Sequence, residues 1–418
     1  MKKILALVLA LCMIFALAAC GSSSESSAST APAADTAADT AADTAADAAD
    51  TAADAAPAAE AAATIKIGGI GPLTGDAAIY GNAAMNGAQI AVNEINAAGG
   101  IAGRQIEFKA EDDVCDSETS VNAYNNLMDW GMQVLVGSVT SGCCISVSAE
   151  AYKDRVFALT PSASSADVTA GKDNMFQLCF TDPNQGLGAA QYIAANMGTD
   201  YKIAIIYRND DAYSQGIRDT FVTESATQGL NIVYEGTFTN DTATDFSVQL
   251  TAAQAAGADF IFLPIYYQPA SIILSQAKQM DYAPIFFGVD GMDGILTLEN
   301  FDLSLAEGVM LLTPFSAKAT DEKTVNFVNA YEGTYGETPN QFAADGYDCV
   351  YAIKAAIESI DYTDGMSTAD LCDALIGAFT SMSFDGTTGT GMTWGTNGEV
   401  SKLPVAVVIK NGEYEPAA

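Results

Sequence analysis

From Thr64 to the C-terminus, short apolar runs alternate with longer stretches of helical period, and this alternation is the feature that most limits the fold. Several of these runs, such as FIFL, are hydrophobic throughout, which is typical of strands buried on both faces of a parallel sheet. Strands separated by helices predict an α/β fold. About ten strand–helix units are too many for one compact sheet, so we expect two doubly wound parallel-sheet lobes.

The predicted strands cover residues 65–70, 105–110, 134–136, 156–159, 202–207, 231–235, 260–263, 285–287, 308–312 and 404–409. The predicted helices cover residues 83–97, 118–130, 186–196, 216–227, 246–256, 270–280, 321–335 and 342–359. A seam at residues 180–184 precedes a new strand–helix series. The stretches 65–81 and 201–216 each contain a strand, a polar loop, then a tyrosine shortly before a glycine and a helix, which indicates two lobes of like fold.

The first 63 residues have a different character. A basic start, an apolar run over residues 4–19 and the small residues LAA before Cys20 are typical of an export signal, and the run is short for a membrane span. The LAAC end resembles the lipobox of bacterial lipoproteins, in which the Cys carries the lipid; the alternative is an ordinary secretory signal with an incidental Cys. We expect a signal peptide at 1–19, then the lipidated Cys20 and a disordered Ala/Asp/Thr tether at 20–63.

Charge and composition exclude several classes of protein. Lys and Arg number 17 against 52 Asp and Glu, a net charge of −35, which excludes a nucleic-acid binder and a protein held on anionic lipid by charge. The chain has no His, which excludes Ser-His-Asp and Cys-His catalysis and His-ligated zinc. The run from Gly69 to Gly75 has the spacing G-x-G-x-x-x-G and contains Pro72, so it is a poor dinucleotide fingerprint. We expect no catalytic residue, no metal and no cofactor.

In open α/β sheets, ligands bind beyond the carboxyl ends of the strands. In the first lobe these loops are rich in Ser and Thr and open helices, whose free N–H groups favour an anion; they include Ser141 and Ser164. In the second lobe these loops contain Asp290 and two consecutive tyrosines, Tyr266 and Tyr267. This pairing suits a zwitterion whose ammonium is held by Asp290. Each residue also has a simpler explanation: helix N-caps for the serines, a turn for the aspartate, rim aromatics for the tyrosines.

The cysteines beyond Cys20 are Cys115, Cys143, Cys144, Cys179, Cys349 and Cys372. Without a C-x-x-C pair, a zinc ribbon or thioredoxin-like site is not expected. A bridge between Cys115 and one of the adjacent Cys143 and Cys144 and a set of buried free thiols remain open alternatives, since connectivity cannot be deduced from sequence.

The folded part resembles the branched-chain amino-acid-binding proteins of ABC importers, of the Leu/Ile/Val type, over its whole length. The matching stretches, in order, are IKIGGIGPLTGDAAIYG, INAAGGIAGRQIEF, EDDVCD, LVGSVTSG, ALTPSASSADVT, FTDPNQG, YSQG, DFSVQL, GADFIFLPIYY and FFGVDG. The resemblance implies that the ligand's α-carboxylate and ammonium bind to Ser141, Ser162 and Ser164. It implies ring contacts from Tyr213 and Tyr266, an ammonium ligand at Asp290, and side-chain selectivity at Tyr80. Two departures are Asp at position 290, where leucine-type members often have Glu, and loop cysteines at 143 and 144 rather than at Thr140, where the family's disulfide partner of Cys115 would stand.

The resemblance further implies two lobes joined by a three-strand hinge that closes on the ligand. Crossovers are expected at 181–183, 313–315 and 392–394, giving a first lobe of residues 64–182 and 315–392 and a second of residues 183–314 and 393–418. The implied protein is a monomer, lipid-anchored on the outer face of the cell membrane, that delivers a branched-chain or related apolar amino acid to an ABC permease. One alternative is an amino-acid sensor of the same fold. Another is an exported carboxylate-based hydrolase, which would need paired acids where only Asp290 is prominent.

Overall fold

The computed structural model describes residues 64–417, so the predictions for residues 1–63 lie outside the described residues. Within this range the strands are β1 Ile65–Gly71, β2 Ile106–Asp112, β3 Val134–Val136, β4 Phe157–Thr160, β5 Met175–Gln177, β6 Lys202–Arg208, β7 Asn231–Phe238, β8 Phe260–Leu263, β9 Ile285–Gly288, β10 Met310–Thr313, β11 Val405–Lys410 and β12 Glu413–Pro416. The helices are α1 Ala78–Ala97, α2 Ser117–Trp130, α3 Ser141–Asp154, α4 Asp182–Tyr192, α5 Ala212–Gln228, α6 Ser247–Ala255, α7 Tyr267–Gln279, α8 Glu322–Tyr335, α9 Gln341–Glu358 and α10 Thr368–Phe379.

The strands form two sheets, which confirms the predicted α/β fold with parallel-sheet lobes. The first has the order β2-β1-β3-β4-β5 and is parallel throughout, with Ile65 opposite Ile106 and Ile67 opposite Val134. The second has the order β12-β11-β10-β9-β8-β6-β7; it is parallel except at one edge, where β11 and β12 run antiparallel. The strands β5 and β12 and the helices α3 and α10 have no counterpart among the predicted ranges.

Both sheets are covered on both faces, as apolar strands of a parallel sheet require. In β6, Ile203 and Ile205 pack with α4 and α5, whereas Ala204 and Ile206 point to the opposite face, where α6 and α7 lie. The alternation follows from the two-residue period of a strand. The first sheet is arranged likewise, with α2 and α3 on one face and α1, α9 and α10 on the other.

The last passage between the lobes falls later in the chain than predicted. The Trp394 indole N–H donates to the Gln177 carbonyl of β5 at 2.7 Å, and the Gln177 N–H donates to the Gly398 carbonyl at 2.9 Å. These bonds hold residues 394–398 against the first sheet, and the chain joins the second sheet only at β11. The crossover predicted at 392–394 is therefore too early.

Three of the helices that begin before the predicted residue each contain a glycine that the prediction placed at the helix start or just before it. Gly81, Gly186 and Gly216 lie inside α1, α4 and α5. A Cβ on Gly81 would lie 2.0 Å from the Pro72 carbonyl oxygen, and one on Gly186 would lie 2.4 Å from that of Ile217. These glycines permit close backbone approach within helices. Tyr80 and Tyr213, predicted in loops, therefore lie in the first turns of α1 and α5.

Among residues 64–417 no helix combines the length and the apolar character needed to cross a membrane.

Candidate functional site

The loops at the carboxyl ends of β3, β4, β8 and β9 meet between the two sheets, together with the first turns of α1, α5 and α9. Between them lies a small cavity of about 20 Å³, measured as the space open to the centre of a water molecule. The residues that line it are Tyr80, Val139, Thr140, Ser141, Ser162, Tyr213, Tyr266, Asp290, Gly291 and Phe342. Both lobes therefore contribute residues to the cavity wall.

Six of the seven predicted ligand-binding residues line this cavity, and the seventh, Ser164, does not. Ser164 is fully buried beside it, and its carbonyl accepts from the Asp182 N–H at 2.9 Å. The structure thus brings together side chains that are far apart in sequence, as expected for loops at the same edge of a parallel sheet.

The first-lobe wall ends at the N-terminus of α3. Its N-cap residue, Thr140, makes no side-chain capping bond, which leaves first-turn N–H groups available to an anion at the positive end of the helix dipole. The Ser141 hydroxyl accepts from the Ser165 N–H at 3.1 Å, and the Ser162 hydroxyl donates to the Val139 carbonyl at 2.7 Å. Ser141 thus keeps its own O–H for a ligand carboxylate, because a hydroxyl donates as well as accepts.

The second-lobe wall contains one acid, Asp290, which is 4% exposed. Its Oδ1 accepts from the Tyr213 hydroxyl at 2.6 Å, and its backbone N–H donates to Gln185 Oε1 at 3.1 Å. Burial raises the pKa of Asp290 to about 7, although the hydrogen bond from Tyr213 acts in the opposite direction. A ligand cation beside this carboxyl would supply the missing counter-charge.

No Lys or Arg lines the cavity. The buried Lys402 pairs with Asp345 at 2.9 Å, and Arg208 pairs with Asp210 at 2.7 Å. The site therefore has an acidic end without a compensating base, and a helix N-terminus at the other lobe. That distribution fits a small molecule with one positive and one negative group.

Sequence reasoning missed Asp182, the first residue of α4. It is fully buried, and neither carboxyl oxygen has a hydrogen-bond partner among the described residues; the Ser164 hydroxyl and Gln185 Nε2 are likewise unpartnered there. Burial raises the pKa of Asp182 well above its usual range, against a smaller lowering by Ser164. Buried polar groups normally have partners, so this cluster beside Asp290 indicates a place where a ligand group or water binds. Asp182 follows Thr181 in a sequence that is typical of a helix N-terminus, and such a sequence gives no indication that the carboxyl group is buried.

Aromatic rings form the apolar part of the wall. The ring of Tyr80 lies 5.3 Å from that of Tyr266 and 4.6 Å from that of Phe342, between centroids. Phe342 was predicted only as the first residue of a helix. The apolar period of that helix gave no indication that the Phe342 ring would reach the cavity. These rings give the wall an apolar surface, against which an aliphatic or aromatic side chain would pack.

All six cysteines between residues 64 and 417 are free thiols, so neither possible bridge from Cys115 is formed. The Cys115 thiol instead donates to the Thr140 hydroxyl at 3.6 Å, behind the cavity wall.

Comparison with known proteins agrees with this geometry. The family described as periplasmic binding protein matches residues 64–413. A Leu/Ile/Val-binding protein homolog of Brucella melitensis is 31% identical, covering 73% of this chain and 81% of its own, and a leucine-, isoleucine-, valine-, threonine- and alanine-binding protein of Pseudomonas aeruginosa is 29% identical, covering 74% and 82%.

Solved structures show the same fold. A branched-chain amino acid transporter substrate-binding protein of Streptococcus pneumoniae, in complex with isoleucine, is 30% identical with a TM-score of 0.75, covering 84% of this chain and 98% of its own. A leucine-binding protein of Thermotoga maritima is 24% identical with a TM-score of 0.76, covering 85% and 98%. The chain therefore belongs to the periplasmic binding protein family, as a substrate-binding protein and not an enzyme.

Proposed function

We propose that this chain is an extracytoplasmic solute-binding lipoprotein that captures a free amino acid between its lobes and delivers it to the permease of an ABC importer. The observation that carries the proposal is the cavity between the sheets, with the α3 N-terminus on one wall and the buried Asp290 on the other. The relatives named Leu/Ile/Val-binding proteins and the isoleucine complex support a branched-chain or related apolar ligand.

In this proposal the amino acid spans the cavity. Its carboxylate accepts from the first-turn N–H groups of α3 and from the Ser141 hydroxyl, and its ammonium pairs with Asp290. Asp182 and the Ser164 hydroxyl do not line the cavity; they are buried beside this end, without hydrogen-bond partners among the described residues. The apolar side chain packs among Tyr80, Tyr266 and Phe342 in a space with no charged group other than Asp290.

Capture requires that the lobes open and close. We infer a hinge at the three passages between the sheets, with closure burying the ligand and presenting both lobes to the permease. The closed chain is a monomer in this proposal.

A thermal-shift screen of the purified chain against the twenty amino acids tests the ligand class. A ligand that binds only the native state raises the melting temperature, and we expect the largest rise with Leu, Ile or Val. If none of the twenty amino acids raised the melting temperature, the proposal would be contradicted.

The lipid anchor is a separate part of the proposal and rests on the LAAC sequence ending at Cys20. A Cys20→Ala chain should be released in soluble form, whereas the wild type should fractionate with membranes. Equal membrane association of the two chains would exclude lipidation at Cys20.

A further inference from the structure

Two helices from opposite lobes begin next to each other without caps of their own. The N-cap of α1 is Ala77, which has no polar side chain, and the N-cap of α7 is Tyr266, which makes no side-chain capping bond. The first N–H groups of a helix have no partner within the helix, so each of these ends needs an outside acceptor.

Tyr80, on the first turn of α1, supplies the acceptor for α7. Its hydroxyl accepts from the Tyr267 N–H at 3.1 Å, and Tyr267 is the first residue of α7. The same hydroxyl donates to the Gly291 carbonyl, also in the second lobe. Tyr80 is 2% exposed, so both bonds are shielded from water.

Tyr267, in the second lobe, makes the corresponding bonds to the first lobe. Its hydroxyl accepts from the Ile79 N–H of the first turn of α1 at 3.4 Å and donates to the Asp76 carbonyl at 2.6 Å. The two tyrosine rings meet edge to face with 4.9 Å between centroids. Tyr267 does not line the cavity between the lobes.

We propose that Tyr80 and Tyr267 form a reciprocal latch, in which each hydroxyl caps the helix of the opposite lobe and so stabilises the closed state. All four hydrogen bonds cross between the lobes, and opening would break them together. Because Tyr267 is not a cavity residue, it acts on ligand retention as a positioning residue, through closure rather than through contact with the ligand. The kinetic part of this inference rests on the proposed function.

The test is Tyr267→Phe, which keeps the ring and removes the hydroxyl. L-leucine is the probe, with binding to the purified full chain followed by stopped-flow fluorescence. A latch forms after the ligand has entered, so we expect koff to rise roughly 5- to 100-fold with kon unchanged, from the loss of two partly buried hydrogen bonds. Small-angle scattering without ligand should also show a larger radius of gyration for the variant than for the wild type.

Tyr282→Phe is the matched control. The Tyr282 hydroxyl donates to the Ala258 carbonyl at 2.8 Å, a bond of the same kind that lies wholly within the second lobe. We expect its koff and its radius of gyration to equal those of the wild type. A koff for Tyr267→Phe equal to that of the control would overturn the latch.

The latch and the proposed function fail separately. If the wild type does not respond to L-leucine, the proposed ligand is wrong, and scattering without ligand decides the latch. In that case a larger radius of gyration for Tyr267→Phe alone supports the latch, and equal radii for the three chains overturn it.

Discussion

Asp290 is a buried acid in a cavity whose lining residues include no base. Tyr213 is the side chain that donates to its carboxyl, and no Lys or Arg lines the same cavity. A buried charge without a counter-charge is costly, so the empty site favours the protonated acid. An ammonium group entering the cavity reverses that preference.

Replacing Asp290 therefore tests the ammonium assignment. Removing one partner of a desolvated charge pair costs about 2–5 kcal/mol, so Asp290→Ala should weaken amino-acid binding by roughly 30-fold or more. Asp290→Asn keeps the shape and one acceptor and should lose less. Calorimetry measures both, with the exposed Asp245 of the same lobe replaced by Asn as the control. If Asp290→Ala bound the amino acid with unchanged affinity, Asp290 would not be the ammonium ligand, and its role would be that of a turn residue.

Residues at the site differ in how far the sequence could predict them. Asp290 and Ser141 were predicted because each follows an apolar strand, and parallel strands end at one edge. Asp182 follows β5, a strand that was not among the predicted ones. Its role depends on burial at the start of α4, which arises from packing of distant segments. The same holds for Phe342, whose helical period indicates only that one face is buried.

At the scale of elements, ten of the twelve described strands were predicted, whereas four helices, α1, α4, α5 and α7, begin three to five residues before the predicted start. Apolar runs such as 260–263 matched β8 because a strand buried on both faces is hydrophobic throughout. Glycine misled the prediction of α1, α4 and α5, because within a helix it signals a close neighbour rather than an end. The antiparallel β12 carries the polar sequence EYEP, which has no strand pattern of its own.

The contact between α4 and α5 allows a test of whether a glycine inside a helix marks a closely packed neighbour. A Cβ on Gly186 would lie 2.4 Å from the Ile217 carbonyl oxygen and 2.7 Å from the Phe221 nitrogen, both backbone atoms that cannot move independently. We expect Gly186→Ala to lower the free energy of unfolding by about 1–3 kcal/mol, the usual cost of overpacking. Urea denaturation followed by circular dichroism provides the measurement.

Gly377 in α10 is the control, because nothing lies within 4 Å of a Cβ built there. Alanine is the better helix former by about 0.5–1 kcal/mol, so Gly377→Ala should raise the free energy of unfolding. If both substitutions changed stability in the same direction, close packing would not explain Gly186.

Considered as a whole, the molecule carries a large negative charge outside and several acids inside. Asp113, Asp290 and Asp345 are buried, and burial raises their pKa values to about 6, about 7 and about 6. Lys402 counteracts the rise at Asp345. All of them titrate above the usual range of Asp and near neutral pH.

These acids predict that the ligand-free protein loses stability as the pH rises from 5 to 8. In the unfolded chain an Asp has a pKa of about 3.9, so over this interval the folded state binds more protons than the unfolded state. The stabilisation is complete below about pH 4 and is lost as the pH passes the folded-state values of about 6 and about 7. Acids whose pKa is lowered, such as Asp112 and Asp116, titrate below this interval.

The chain is well suited to this measurement because it has no His, the side chain that normally titrates between pH 5 and 8. Calorimetric melting temperatures of the ligand-free wild type should therefore fall across the interval. In Asp290→Asn the fall should be smaller, since the amide has no proton to lose and the cost of ionising position 290 disappears. That variant should then melt above the wild type at pH 8 and close to it at pH 5. A wild-type melting temperature that is constant or rises from pH 5 to 8 would show that these carboxyls are ionised in the folded protein, and the charge state assigned to the cavity would be wrong.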